Sequence, residues 1–308
     1  MTNNSRKSVT VQVPATSANC GPGFDSLGLA VTLYNTFTYE LLPKEKLELT
    51  VEGQGADFMK ASPRNLAFLS FFKLWNKVMK KKTGLKIHMK NEIPLSRGLG
   101  SSSTAIVAGL MAANALTGET CSQEDLIALA TELEGHPDNV APAILGGFTI
   151  SFMHNGEAHS VKLMPAKPFQ LIALIPAMPL ATSKARAALP AKVPIQDAVF
   201  SMSRASLLVA CLLTGNFTDL NLALEDKLHQ PYRLPLIPGA VEAIAAARQS
   251  GAFQGIISGA GSTLMAYAPM SADARKIGEA MVQAMAAHKM KAAYKVVKLK
   301  KMVQKYCK

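Results

Sequence analysis

Between residues 94 and 104 the chain reads Pro94-Leu-Ser-Arg-Gly-Leu-Gly-Ser-Ser-Ser-Thr104, and its flanks leave it few ways to fold. Upstream, Leu85, Ile87 and Met89 alternate with Lys86, His88 and Lys90, the period-two pattern of a half-buried strand. Downstream, Ala105, Ala108, Gly109, Ala112, Ala113 and Ala115 lead to Thr117-Gly118. Such small side chains predict a helix packed very close to its neighbours and stopped by glycine. A glycine- and serine-rich turn at a helix start presents unpaired N–H groups at the positive end of the helix dipole, where an anion fits. Two readings stand. The serines cap an ordinary helix, or N–H groups and hydroxyls wrap a polyphosphate and give one oxygen to Mg2+. The Walker lysine is missing after Gly100. A following helix, rather than a second strand, also rules out the glycine-rich hairpin of protein kinases.

The 308 residues suffice for one long domain or two moderate ones, and 49% apolar residues mark a globular chain rather than a disordered one. The formal charge is +12, but residues 289–308 hold eight lysines and no acid. Such a tail reads as nucleic-acid or membrane contact, or as a solvated helix end, and the last is expected here. Cys20, Cys121, Cys211 and Cys307 form no C-x-x-C pair, which argues against structural zinc or disulfides and for a reducing, cytoplasmic setting. The first eight residues are polar, unlike a signal peptide. The most apolar segment, 171–180, is broken by Pro176 and Pro179, so no membrane span is expected.

In chain order, Val9, Val11 and Val13 predict an opening strand ending in Pro14-Ala-Thr-Ser-Ala-Asn-Cys-Gly-Pro-Gly-Phe-Asp25. Glycines either side of Pro22 force a tight turn that brings backbone close to a ligand, with Asn19 and Asp25 as its directional polar groups or as turn caps. Strands are predicted at 31–41 and 47–51, and a helix over 66–80 with Asn65 at its cap. A further helix over 122–133, capped by Ser122, runs into Thr131-Glu-Leu-Glu-Gly-His-Pro-Asp-Asn-Val-Ala-Pro142. There Glu132, Glu134, His136, Asp138 and Asn139 crowd within eight positions, followed by apolar residues. Part of that cluster must turn inward, and buried carboxylates need partners or a metal. A hairpin around Asn155-Gly156 follows, then a domain boundary at Pro165-Ala-Lys-Pro168. A strand over 169–175 comes next, then a helical turn capped by Thr182 or Ser183 and carrying Arg186. Helices over 195–213 and 217–225, Arg233 within His229-Gln-Pro-Tyr-Arg-Leu-Pro-Leu-Ile-Pro238, a helix over 239–249, and Gly259-Ala-Gly-Ser-Thr263 complete the functional stretch. A last helix over 272–285 and a strand over 292–297 close the pattern.

Three of these stretches, in this order, resemble the three signatures of the GHMP small-molecule kinase superfamily: P-A-T-S-A-N-x-G-P-G-F-D, P-x-x-x-G-L-G-S-S-S and G-A-G-x-T. The first has the form seen in homoserine kinases, with Cys20 where leucine is common. T-x-x-A-R and H-x-P-x-R-x-x-L-I-P are similar to the contexts of that branch's substrate-carboxylate arginines. The resemblance implies an α+β fold of two domains. Residues 1–164 would resemble domain 2 of ribosomal protein S5 and bind ATP, and 165–308 would be ferredoxin-like. It implies phosphorylation of L-homoserine by ATP with Mg2+, a step toward threonine. Asn65 and Pro94, Leu95, Ser96, Arg97, Gly98, Leu99, Gly100, Ser101, Ser102, Ser103 and Thr104 would bind ATP. Ser102 with Glu134, or else Glu132, would meet the metal. Asn19, Asp25, His136, Asp138, Asn139, Arg186, Arg233 and Gly261 would surround the acceptor. Asp138 and Arg186 are the implied catalytic pair, and whether Asp138 takes the proton or only orients the hydroxyl stays open. Arginine's planar fork suits a carboxylate, although each arginine taken alone reads as a surface residue. The rivals are a superfamily kinase for mevalonate or a sugar, which would not share both arginine contexts, and an S5-like RNA binder. Neither nucleic acid nor membrane is expected as a partner, and a homodimer is admitted.

Overall fold

The computed structural model describes residues 7–300 and the backbone of 304–307. β1 (Ser8–Ala18) buries Val9, Val11 and Val13 and pairs antiparallel with β2 (Leu27–Leu42), the register slipping between Pro14 and Ala15. β3 (Leu47–Gly53) lies parallel to β4 (Gly84–Asn91), which pairs with the second half of β2. β5 (Phe148–His154) joins the first residues of β2 and forms the predicted hairpin with β6 (Glu157–Leu163). Asn155 and Gly156 both take positive φ at its turn, as a two-residue hairpin loop requires.

Four helices cover this sheet: α1 (Leu66–Met79), α2 (Ser101–Leu116), α3 (Gln123–Glu134) and α4 (Pro137–Leu145). Helix α2 is buried nearly all round, the pattern of a core helix. Its Gly109 lies so close to α1 that a Cβ there would come 2.0 Å from Ser70 Oγ. A reciprocal capping box between Ser122 and Asp125 starts α3, and Pro137 occupies the first turn of α4.

β7 (Gln170–Pro176) opens a second sheet. After it come α5 (Thr182–Ala187), α6 (Ile195–Thr214), α7 (Leu220–Ala223), α8 (Gln230–Arg233) and α9 (Ala240–Gln249). β8 (Gln254–Ile257), β9 (Leu264–Ala268), α10 (Ala274–Ala287) and β10 (Ala292–Val297) complete the unit. The antiparallel order β10-β7-β9-β8, with α9 and α10 packed on one face, is ferredoxin-like. Alternation along β7 sends Ile172 and Leu174 toward those helices and Leu171 and Ala173 into a core shared with Leu27, Leu29 and Val31 of the first sheet. By length and composition α6 could cross a membrane, yet its Leu208, Cys211 and Leu212 belong to that shared core.

Three expectations need correcting. Thr182 is the first helical residue of α5, not its cap, because the Leu180 N–H is fixed on Ser96 O and Ala181 takes the cap position. The helix expected over 217–225 is one turn, since Asn216 captures the backbone and hydroxyl of Thr218 and holds the chain out of helix. Among the described residues, the lysine-rich tail holds strands rather than a helix end. Lys298 and Lys300 bond to Thr32 and Ala30 of β2, and β11 (Gln304–Cys307) pairs antiparallel with the edge of β1. Residues expected in the second domain therefore finish the first sheet.

Candidate active site

Beyond β4 the chain reaches α2 through Ser96, Gly98 and Gly100, all at positive φ. Four consecutive carbonyls are tied behind this turn. Ser96 O accepts from Leu180 N at 2.9 Å and Arg97 O from Thr263 N at 3.1 Å. Gly98 O accepts from Ser258 Oγ at 2.7 Å and Leu99 O from Thr16 N at 3.1 Å. With the carbonyls turned away, the N–H groups of residues 98–103 have no protein partner among the described residues. Gly98, Gly100, Ser101 and Ser102 wall a cavity of about 560 Å3. Aligned free N–H groups at a helix start make an anion cradle. Glycine is required by space as well as by φ: a Cβ on Gly98 would meet Ser258 O at 2.1 Å, and one on Gly100 would meet Thr16 Oγ1 at 2.0 Å.

Glu134, at the end of α3, closes one side of the cradle. Its Oε1 accepts from Ser103 Oγ at 2.8 Å and Ser102 Oγ at 3.1 Å. A carboxylate oxygen beside two hydroxyls is the hard donor set that Mg2+ takes, so these residues fit the metal. Glu132 is instead paired with Lys73 at 2.6 Å and is not in the cavity wall, which removes it as the alternative. Asp25, His136 and Asp138 hold donor atoms within 4.8 Å of one another. That cluster is already closed internally, by Arg186 on Asp25 and by the His136–Asp138 bond.

Gly135 turns the chain at φ 92° into His136, which precedes α4. Asp138 is 2% exposed, bonded through Oδ1 to His136 Nδ1 and, more weakly, to Asn139 Nδ2 at 3.4 Å. Asn139 Oδ1 accepts from Thr16 Oγ1 at 2.7 Å, tying α4 to β1. Burial opposes a charge on His136, but the hydrogen bond and charge of Asp138, with Glu134 and Asp25 behind it, raise its pKa.

The second sheet's side supplies the arginines. Arg186, in the last turn of α5, grips Asp25 in bidentate fashion at 2.8 and 3.0 Å, a bond that raises its pKa against partial burial. Arg233 is 2% exposed and donates through Nη1 to Gly259 O at 3.1 Å, and burial together with the nearby Arg186 lowers its pKa. Both guanidinium groups lie over the Phe24 ring, at 5.5 and 5.2 Å.

Of the predicted residues, Asn19, Asp25, Asn65, Leu95, Ser96, Arg97, Gly98, Gly100, Ser101, Ser102, Glu134, His136, Asp138, Asn139, Arg186 and Arg233 all wall this one cavity. Asn19 also staples two loops, accepting from Asp25 N and donating to Gly259 O. Arg97 braces the turn on Leu95, Pro176 and Ala177 carbonyls. Pro94, Leu99, Ser103, Thr104 and Gly261 are not in the wall. Gly261 packs beneath Gly98, where a Cβ on that glycine would meet its backbone, so it supports the turn rather than lining the acceptor space. Residues not foreseen are Phe58, Met59, Leu66 and Met89, an apolar group beside Asn65, and Asn35, which donates to Thr104 Oγ1. Scattered apolar residues carry no sequence signal of a shared pocket.

Comparison with known proteins places this geometry. The family described as GHMP kinases N terminal domain matches residues 66–147, and GHMP kinases C terminal matches residues 208–287. The chain is 43% identical over 260 residues to a homoserine kinase of Carboxydothermus hydrogenoformans, covering 84% of this chain and 85% of that one. It is 42% identical over 286 residues to a homoserine kinase of Moorella thermoacetica, covering 92% and 95%. The crystal structure of homoserine kinase from Cytophaga hutchinsonii superposes with TM-score 0.90 at 28% identity, over 100% of this chain and 99% of that one. Mevalonate kinase of L. major shares the fold, with TM-score 0.69 at 17% identity over 96% and 97%.

Proposed function

The chain belongs to the GHMP kinases, and from that premise we propose that it transfers the γ-phosphoryl group of ATP to the side-chain hydroxyl of L-homoserine, giving ADP and O-phospho-L-homoserine. Full-length relatives at about 40% identity support this acceptor. The observation that carries the reading is that the N–H cradle, the buried Asp138 and both arginines share one cavity. A mevalonate or sugar kinase has no α-amino acid to read.

Phosphoryl transfer depends mainly on positioning and on neutralising charge. The free N–H groups of residues 98–103 receive the phosphates, and the apolar group beside Asn65 suits the adenine. Glu134 and Ser102 would hold Mg2+, which when bound offsets charge on the phosphates, while Ser103 Oγ steadies the Glu134 carboxylate from behind. Asp138, aligned by His136 and Asn139, accepts a hydrogen bond from the acceptor hydroxyl and directs its lone pair at the γ-phosphorus. As that O–P bond forms, the bond from γ-phosphorus to the bridging oxygen breaks, ADP leaves with that bonding pair, and the hydroxyl proton passes to Asp138 or to an oxygen of the transferred phosphoryl group. Arg186 and Arg233 take the α-carboxylate, and Asp25 faces the α-ammonium once Arg186 has the substrate to grip.

Arg186→Ala tests the assignment. A lost charge-assisted bidentate contact predicts a KM for homoserine about 10-fold to 100-fold higher, with KM for ATP little changed. Homoserinol, which lacks the carboxylate, should respond far less to the same substitution. An unchanged KM for homoserine would remove the carboxylate argument.

A further inference from the structure

His229 is fully buried at the start of α8, and its two ring nitrogens meet partners of opposite kind. Nε2 lies 2.7 Å from Gly21 O, and a carbonyl can only accept, so Nε2 carries the proton. Nδ1 lies 3.3 Å from Arg233 Nη1, and a guanidinium can only donate, so Nδ1 offers its lone pair. Only the neutral Nε2–H tautomer satisfies both. Burial acts in the same direction and lowers the imidazole's pKa.

The surroundings hold this ring rigidly. Asp226 Oδ2 accepts from the backbone N–H groups of His229 and Gln230, each at 2.8 Å, and its Oδ1 from Leu228 N and Ser201 Oγ. Phe24 stacks on the imidazole at 5.4 Å while also carrying both arginines. Arg233 Nη1 is thereby shared between His229 and Gly259 O, and Nε reaches Ala185 O only at 3.4 Å.

We propose that His229 is a positioning residue for acceptor binding: anchored on the first glycine turn through Gly21, it fixes the direction in which Arg233 presents its fork to the acceptor's carboxylate. The proposal rests on reading Arg233 as a carboxylate ligand. It links two segments that are far apart in sequence and gives the histidine of the H-x-P-x-R stretch a task of its own.

The test measures KM for homoserine and for ATP, by ADP release, in H229Q and H229N. Glutamine sets its amide near the place of Nε2 and keeps a donor for Gly21, but leaves Arg233 without its acceptor. Asparagine sets its amide oxygen near the place of Nδ1 and keeps that acceptor. Loss of a hydrogen bond to a charged group predicts a homoserine KM about tenfold higher in H229Q, with KM for ATP within about twofold. H229N should stay within about threefold of wild type for homoserine. In an Arg233→Ala background H229Q should add nothing, because its effect runs through that arginine. An unchanged homoserine KM in H229Q, equal losses in H229Q and H229N, equal rises for both substrates, or additive effects in the double variant would each overturn the proposal. If H229Q does not fold, H229N decides alone: a homoserine KM more than about threefold above wild type overturns the proposal, and a value within that range supports it. Failure of the wild-type protein to release ADP with homoserine would sink the functional reading itself, and that is seen before any variant is made.

Discussion

His136 sits where two effects compete. Burial is the largest single influence and disfavours its charge, but the bond to Asp138 and the negative charges of Asp138, Glu134 and Asp25 together outweigh it, so its folded pKa is raised above the ordinary value of 6.5. A raised pKa contributes stability that is fully present below the unfolded value and is lost as pH rises through the folded one. His136→Gln should therefore destabilise the protein more at about pH 6 than at about pH 9, read as the difference in urea midpoint from wild type. Equal differences at the two pH values would contradict the ion pair. At this scale the sequence shows chemistry but not partnership. Asp138, Arg186 and Arg233 stand out as residue types suited to a task. Asn35 does not, because its meaning comes from accepting the N–H groups of Glu92 and Ile93, 57 and 58 residues away, while donating to Thr104. Thr16 stands within the first glycine-rich stretch with no task of its own until Asn139 is seen to accept its hydroxyl.

The close contact between α1 and α2 holds the helix that follows the phosphate turn. Alanine is normally better than glycine inside a helix by about 1 kcal/mol. Here the space decides the sign, since a Cβ on Gly109 would also come 2.7 Å from Ala67 O, which is backbone and cannot swing aside. Gly109→Ala should thus destabilise by about 1–3 kcal/mol and lower Tm by several degrees, as calorimetry would record. A neutral or higher Tm would show that the helices are less tightly apposed. Elements with long periodic patterns, such as β1, β4, α1 and α2, are legible because burial on one or all faces leaves a repeat. The single turn of α7 and the start of α5 are not, because local side-chain bonds and a cross-domain bond from Leu180 to Ser96 override propensity.

Across the whole molecule, a continuous apolar core joins the two sheets, so the walls of the cavity are fixed relative to one another. The tail strengthens that union by passing from β10 in the second sheet to β11 on the edge of the first. A division at about residue 165 into two units remains our proposal, with this last strand lent back to the first. The central claim is that this shared cleft selects an amino-acid alcohol as phosphoryl acceptor. Coupled ADP release, measured with homoserine, mevalonate, galactose and no acceptor, tests it most directly. Release above the no-acceptor rate with homoserine alone is the predicted result, and equal or faster release with mevalonate or galactose, or none with homoserine, would contradict it.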